Sequence, residues 1–513
     1  MNIAELAEQA ASRMGEKVVM HFEGQQITNW QILDKARRLQ RSLLSLGLQQ
    51  GAVAAMCMLN NPLVYPVFQS IFRSGCTALP IMPTLMEPEM RHILKDSQAR
   101  GVITDAANLP KIRAAAQGLD NIGWIAAVGI QGNLQALPPL YSLEALFEEK
   151  PMATLPKIND DDLAMLLYTG GTTGRPKGVM LTHSNLYHSA KIDFETDKEH
   201  LLQKPLIRLT ALPMAHIFGV GVMDSGYVAE GAAADNLWVQ MSWFDAEKFM
   251  QLIEKYHVHS IAVVPAMLLL ILNHPKVNQY DLSSLEEIVC GAAPLPLEVV
   301  SAFQQRCNCQ FRQTYGQTES TGLAATRPIS IPYRAGSVGK VNPGLELQIF
   351  NEKEQAVPIG QRGEIVLRGP CVMKGYLNNP QETAEALRGG WLHTGDIGYL
   401  DEDGYLFVVD RKKDMIIKGG ENIYSAELED IIYTLPAVAE AAVIGKPDPV
   451  YGENIVAYLV LKPGFSLTQQ EVKDSFKGKV SSFKTPSEVY FIDALPKSPV
   501  GKILKRELRG KVT

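Results

Sequence analysis

Short apolar runs of strand length alternate with segments of helical spacing, and this alternation restricts the chain more than any other feature. Residues 30–46 place apolar side chains at helical intervals, 53–59 form a short apolar run, 66–72 are helical again and 77–81 are strand-like. The pattern returns at 101–104, 124–128 and 260–264. Strands separated by helices can run side by side in one direction only through crossovers, so the expected fold is α/β, with stacked layers around largely parallel sheets. From Gly336 the texture changes to short strands and glycine-rich turns at 345–350, 363–368 and 404–409, which predict a β-rich subdomain. A charged cluster, Arg411, Lys412, Lys413 and Asp414, then precedes a self-contained α+β pattern. There Ser425 is expected to cap a helix running to Leu435, and the turn-former Lys446-Pro447-Asp448-Pro449 to part strands at 438–444 and 454–461. A helix at 469–476 and a strand at 489–492 follow. The reading is a large N-terminal domain over 1–410, a hinge at 411–414 and a small mobile C-terminal domain over 415–513.

Composition narrows the class. At 513 residues, 46% hydrophobic and 20% charged, the chain is neither disordered nor a disulfide scaffold, and allows about three domains or subdomains. Lys plus Arg number 49 against 55 Asp plus Glu, a net charge of −6, which argues against nucleic acid as the main partner and requires any anion site to be local. The longest strongly apolar stretch, 261–272, contains Pro265 and falls short of the roughly 18 to 20 residues that span a bilayer, so no stable membrane insertion is expected. Glu5, Glu8 and Glu16 near the start are unlike a secretory signal. Six scattered cysteines, of which only Cys307 and Cys309 are close, fit free thiols in a reducing compartment and a cytoplasmic enzyme.

The strongest chemical signal is the loop containing Thr169, Gly170, Gly171, Thr172, Thr173, Gly174 and Lys177. Glycines admit backbone N–H groups to phosphate oxygens, hydroxyls donate further bonds and Lys177 offsets charge. It is not a Walker loop, because Pro176 precedes the lysine and Gly178 follows it. Apolar flanks at 163–167 and 179–181 indicate a connection between two strands.

With this loop in view, the chain resembles the adenylate-forming superfamily of acyl-CoA synthetases, aryl-CoA ligases, luciferases and peptide-synthetase adenylation domains, most of all a fatty-acid–CoA ligase. The resemblance rests on seven segments in the family's order: the loop, Leu212-Pro-Met-Ala-His-Ile-Phe-Gly219, Gly291-Ala-Ala-Pro294, Tyr315-Gly-Gln-Thr-Glu319, His393-Thr-Gly-Asp396, Asp410-Arg-Lys-Lys-Asp414 and Pro496-Lys-Ser-Pro-Val-Gly-Lys502. Gly170 departs from the family, where many members carry Ser, and removes one hydroxyl donor to phosphate.

The resemblance implies ATP, Mg²⁺ and coenzyme A as reaction partners of a small carboxylic acid, and leaves a homodimer open. It makes Lys502 the bridge between substrate carboxylate and α-phosphate, Glu319 the Mg²⁺ ligand, Thr318 an α-phosphate donor and His216 the gate of the acid pocket. Gly291, Ala292, Ala293, Gln313, Tyr315 and Gly316 join the loop in binding nucleotide, with Asp396 and Arg411 at the ribose. Lys413 matches the hinge, and Gly419, Gly420 and Glu421 the segment that admits CoA. Taken alone, Glu319 would read as a helix N-terminal acid, Asp396 as a turn residue, and Lys502 as part of a solvated basic face with Lys505, Arg506, Arg509 and Lys511.

The implied activity converts a carboxylic acid to acyl-AMP with release of pyrophosphate, then transfers the acyl group to CoA. The expected pocket segments, 216–223, 264–268, 291–294 and 322–325, carry no Lys or Arg, which disfavours a second carboxylate on the substrate. A medium- or long-chain fatty acid fits, and so does a flat aromatic acid. The alternatives are an aryl-acid–CoA ligase, a ligase that loads a carrier protein, and a non-catalytic ligand sensor on the same fold.

Overall fold

The computed structural model describes residues 1–130, 138–169, 176–196, 198–497 and 502–510. Among them, eight strands form one sheet in the order Gly375–Tyr376, Lys177–Thr182, Leu163–Thr169, Thr77–Pro80, Val53–Cys57, Gly101–Asp105, Trp124–Val128, Leu140–Ser142. From Leu163–Thr169 onward the pairing is parallel. Helices cover these strands, so Val53–Cys57 and Trp124–Val128 are apolar on both faces, as a buried parallel sheet requires. A second sheet of nine strands has a parallel centre, Gln310–Tyr315, Glu287–Cys290, Ser260–Val263, Ile207–Thr210, Leu237–Gln240 and Val18–Phe22. The long apolar stretch divides here: Ser260–Val263 is a strand, and Pro265 opens the helix Pro265–Leu272 at its first position, where the missing N–H costs nothing. Among the described residues no helix is long and apolar enough to cross a membrane.

A four-stranded antiparallel sheet, Glu346–Phe350, Gly363–Arg368, Leu392–Leu400 and Leu406–Arg411, matches the predicted β-rich part. The C-terminal sheet is built from Glu421–Ile423, Ile416–Lys418, Gly452–Leu461 and Val438–Asp448, with Glu488–Phe491 added in parallel to Gly452–Leu461. Its core is a separate apolar cluster that includes Ile416, Leu428, Val443, Ala457 and Phe476.

The structure differs from two local expectations. Tyr424, not Ser425, is the N-cap of the helix Ser425–Tyr433; Ser425 is fully buried as the first helical residue, and its hydroxyl donates to Asp410 Oδ2 at 2.8 Å. A long-range acid outcompetes the local cap. Pro447 and Asp448 belong to the strand, paired with Glu453 and Gly452, because Val438–Asp448 lies at a sheet edge where a proline costs no ladder bond on its open side. Near the C-terminus the last described helix is Lys505–Arg509, and Ile503 ahead of it bridges to Lys497. The six cysteines are buried and carry no disulfide, with Cys307 Sγ 3.4 Å from Cys309 Sγ.

Candidate active site

Three parallel strands of the nine-stranded sheet, two adjacent and the third separated from them by Ser260–Val263, end on the same side, and the loops that leave them carry Ala211–His216, Gly291–Ala293 and Gly316–Glu319. Ligand sites gather at such carboxyl ends because the chain must leave the sheet there in different directions. Tyr315 closes its strand and its hydroxyl donates to Asp396 Oδ2 at 2.8 Å. Asp396 lies across from Arg411 in the antiparallel sheet, and Arg411 Nε stands 3.1 Å from Asp396 Oδ1. The Asp396 carboxylate is nearly buried, yet with these two partners it keeps lone pairs for further donors. Burial and the Asp396 charge hold the Tyr315 phenol protonated, far above its ordinary range.

Gly316 makes the next turn. A Cβ there would fall 2.4 Å from Gly322 O, and Gly322 itself has φ +86°. The two glycines let the ends of this loop close, which fixes the short 3₁₀ turn Thr318–Ser320 and hence Glu319. Gly316→Ala is expected to push this turn outward and lower the turnover of the site by at least about tenfold, since small misplacements of reacting groups are costly; unaltered steady-state activity would contradict that placement.

Tyr376 was not singled out by the sequence, yet its hydroxyl donates to Glu319 Oε1 at 2.9 Å. The Lys177 ammonium sits 5.4 Å from the Tyr376 ring centre and forms an ion pair with Glu382. Burial lowers the Lys177 pKa, opposed by Glu319 and Glu385. Tyr376 lies in the short run Gly375–Tyr376, which pairs with the Lys177–Thr182 strand nearly two hundred residues earlier. Thr169 and Lys177 face each other as the paired ends of two antiparallel strands. Gly170, Gly171, Thr172, Thr173 and Gly174 lie outside the described residues.

Lys502, from the C-terminal segment, is brought to the same place. Burial and Arg411 bring its pKa down to about 8, against the pull of Asp396 and Glu319. Its charge is felt in turn at His216, where burial first and Lys502 second lower the imidazole pKa to about 3. His216 caps the helix Ile217–Val228, with Nδ1 accepting from the Phe218 N–H at 3.2 Å, so the neutral ring carries its proton on Nε2. Of the basic residues after Lys502, Lys505 and Arg509 are paired with acids, Arg506 is exposed, and Lys511 lies outside the described residues. Lys505 Nζ lies 2.7 Å from Glu429 and 2.6 Å from Ser425 Oγ, and Arg509 pairs with Asp414 at 3.0 Å.

Gly291 packs against Thr314, whose Oγ1 would stand 2.7 Å from an added Cβ, and Ala292 is held at φ +71°, a left-handed conformation that costs a non-glycine residue about 1–2 kcal/mol. Ala293 follows in the same turn. Gln313 occupies the opposite face of its strand from Arg312 and Thr314; among the described residues its buried Oε1 has no hydrogen-bond partner. Thr318 is buried beside Glu319. Lys413 keeps an exposed surface, yet the protein packed around it partly desolvates the ammonium and, with the Arg411 charge, lowers its pKa. Gly419 and Gly420, both at positive φ, form the two-residue turn between Ile416–Lys418 and Glu421–Ile423, a hairpin geometry that demands such conformations. Gly419 packs toward Tyr451 and Phe483, a Cβ on Gly420 would meet nothing within 4 Å, and Glu421 is exposed.

A cavity adjoins this cluster, lined near it by Ile217, Phe218, Thr314, Gly322 and Leu323. Of the four expected pocket segments, 216–223 and 322–325 contribute to its wall, and strands outside all four contribute its deep end. There Arg208, Arg312 and Asp193 line the cavity, a charged floor that the sequence did not disclose. Behind them Glu287, 1% exposed, takes hydrogen bonds from Ser260 Oγ at 2.6 Å and faces Arg312 Nε at 2.9 Å and Arg208 Nη2 at 3.9 Å. Asp193 lies 3.3 Å from Arg312 Nη1. Burial opposes the Glu287 charge, but Arg312 and Arg208 outweigh it and hold its pKa below the ordinary carboxylate value.

Comparison with known proteins agrees with this geometry. The model of the family described as AMP-binding enzyme matches residues 6–377, and that of the AMP-binding enzyme C-terminal domain matches 427–502. The long-chain-fatty-acid–CoA ligase of Bacillus subtilis (strain 168) is 32% identical, with 98% of this chain and 93% of that protein covered. The 4-coumarate–CoA ligase 1 of Petroselinum crispum is 35% identical, with 98% and 92% covered. The crystal structure of the anthranilate CoA ligase AuaEII in complex with anthranoyl-AMP shares the fold at a TM-score of 0.92 over 100% of this chain and 97% of that one, at 24% identity. A site in which a buried acid, an adjoining arginine and a carboxy-terminal lysine meet, carried on a chain matched over nearly its whole length, places this protein in the AMP-binding enzyme family: it is an adenylate-forming enzyme.

Proposed function

We propose that this enzyme activates a carboxylic acid with ATP and passes the acyl group to coenzyme A. The observation that carries the reading is Lys502, a lysine of lowered pKa within electrostatic reach of Asp396, Glu319 and the neutral His216, beside a largely apolar cavity. In the first step the acid's carboxylate oxygen attacks the α-phosphorus, the bond to the β-phosphate bridge breaks, and pyrophosphate leaves. Two anions must approach, so fixed positive charge and oriented donors supply much of the rate. Lys502 would bridge carboxylate and α-phosphate, Thr318 would donate to that phosphate, and Lys177 with the Thr169–Gly174 loop would hold the outer phosphates. Asp396 accepts from the ribose hydroxyls with Arg411 beside it, and the free Oε1 of Gln313 suits an amino-group donor of the base. Tyr315, Gly316 and Gly291 to Ala293 complete the nucleotide cleft.

Among the described residues no group of three or more His, Cys, Asp or Glu side chains is placed to hold a metal. The residues present fit a Mg²⁺ held by Glu319 as sole protein carboxylate, since this ion keeps water and substrate phosphates as its other ligands. When bound, it would neutralise phosphate charge. In the second step the CoA thiol attacks the acyl carbonyl and AMP departs. That step calls for a different surface, so residues 1–410 are read as the main body, Lys413 in 411–414 as the hinge, and 415–513 as the moving part that brings Gly419, Gly420 and Glu421 to the thiol. Their side-chain-free turn suits close passage of pantetheine.

For the acid, apolar walls favour a medium- or long-chain fatty acid. A charged floor of two arginines is balanced by Glu287 and Asp193, which offers little surplus charge to a second carboxylate. An aryl acid is the second reading, favoured by the Phe218 and Trp238 rings in the cavity wall and by the likeness to a 4-coumarate–CoA ligase. Pyrophosphate release across a ladder of fatty, aryl and short acids, with and without CoA or a carrier protein, tests the reading. Release that depends on no acid would refute it, and acyl transfer to carrier protein but not to CoA would shift the acceptor.

The Lys502 charge also sets a pH limit. A lysine with pKa about 8 is cationic below that pH and neutral above it, so the free enzyme's kcat/KM for acyl-AMP formation should fall as pH rises through about 8. Lys502→Arg, whose guanidinium stays charged, should lose this limb even at a lower absolute rate. A parent profile flat from pH 7 to 10 would count against the charge assignment.

A further inference from the structure

Two cavities adjoin along a shared wall that includes the Arg208–Trp238 pair. The inner one extends from Phe218 and Leu323, beside the reacting cluster, to Arg208 and Trp238. The outer one shares Arg208, Trp238, Asp193 and Ser225 with it and continues among Phe194, Leu201, Ala229 and Ala233. Arg208 and Trp238 are register partners on adjacent parallel strands, so their side chains stand together on one face, with the guanidinium carbon 5.4 Å from the indole ring centre. Arg208 is anchored from behind by Glu287, itself held by Arg312 and Ser260. On the opposite wall, the helix Ile217–Val228 presents two glycines that hollow both spaces. Gly221 lines the inner cavity and Gly226 the outer, and a Cβ on either would meet nothing within 4 Å.

We propose that the Arg208–Trp238 pair is the partition that sets the length of acid this enzyme accepts. The proposal rests on the reading of the inner cavity as the acid site, and it narrows the substrate to a medium-chain or single-ring acid. An acyl tail that fills the inner cavity ends against the indole and the guanidinium. To go further it would have to part Arg208 from its buried carboxylate partner, and separating such a pair in a dry interior is costly. The outer cavity is therefore apolar space that the acid does not use while the partition stands.

The test uses the full enzyme and a ladder of saturated acids from hexanoate to palmitate, read as kcat/KM for acid-dependent pyrophosphate release. The parent is expected to favour medium acids. Trp238→Ala should raise the ratio of long- to medium-acid activity by about tenfold or more, the scale on which a few methylenes are discriminated. Trp238→Leu, a milder change that guards against misfolding, should move the ratio the same way by a smaller step. Gly226→Leu, which fills only the outer cavity, should leave the parent's profile unchanged and cancel the gain in the Trp238→Ala background. Folded Trp238 variants with unmoved profiles would overturn the partition while leaving the adenylation reading intact. So would loss of long-acid activity in Gly226→Leu alone, which would mean that the acid already crosses. No pyrophosphate release with any acid would instead overturn the adenylation reading, and the partition with it.

Discussion

Lys502→Ala is expected to lower acyl-AMP formation by about a thousandfold or more, while CoA thioester formation from supplied acyl-AMP stays within about threefold of the parent enzyme. The asymmetry follows from where charge develops. In the first step the attacking carboxylate, the α-phosphate and the departing pyrophosphate are all anionic, and an ammonium among Asp396, Glu319 and His216 acts on that charge in a site where burial already disfavours it being solvated. In the second step the leaving group is a single AMP phosphate, and the proposed movement of the C-terminal part takes Lys502 away. Pyrophosphate release and thioester absorbance measured separately on the variant decide the matter. Equal losses in both half-reactions would remove the division of labour, and no loss in either would remove Lys502 from the chemistry.

Glu287→Ala is expected to destabilise the folded enzyme by about 3–5 kcal/mol, because removing one member of a buried ion cluster leaves its partners' charges uncompensated. Glu287 is 1% exposed and lies between Arg312 and Arg208, neither of which has ready access to water. The pH dependence has a fixed sign. Glu287 has a pKa lowered in the folded protein relative to roughly 4.3 in the unfolded chain, so its contribution is present above that value and is lost as pH falls through the folded pKa. The parent should therefore lose stability more steeply than Glu287→Gln on acidification below about pH 5. A chain with several cores need not unfold in one step, so the midpoint of the transition that reports the nine-stranded sheet is the quantity to compare, with Trp238 fluorescence as its probe. A change of less than about 1 kcal/mol would mean that the cluster is solvated or rearranged.

What could be read in the amino-acid order was whatever chemistry lies in consecutive residues. The apolar runs that became Val53–Cys57, Gly101–Asp105 and Trp124–Val128 declare buried parallel strands locally, and Tyr315 to Glu319 and His393 to Asp396 each carry their polar groups within a few consecutive residues. Contacts that depend on register were not legible. Tyr376 reaches Glu319 only because a two-residue strand pairs with one nearly two hundred residues earlier. Arg208, Ser260, Glu287 and Arg312 come from four strands, and no spacing within the chain announces that parallel pairing lines them up under the cavity. Ser425 had every local mark of a helix cap, yet Asp410 claimed its hydroxyl from fifteen residues away. Lys505 and Arg509 read as part of a solvated face because Glu429 and Asp414, with which they pair, are remote in sequence.

The central claim is that a carboxylic acid is joined to the α-phosphate of ATP at the Lys502–Asp396–Glu319 cluster. Isotope exchange between pyrophosphate and ATP, followed with Mg²⁺ and a panel of hexanoate, decanoate, palmitate, benzoate and 4-coumarate but no CoA, measures that step alone. Exchange that appears only with an acid present and vanishes in Lys502→Ala is the predicted result; exchange with none of the five acids, or exchange that survives undiminished in the variant, would contradict it.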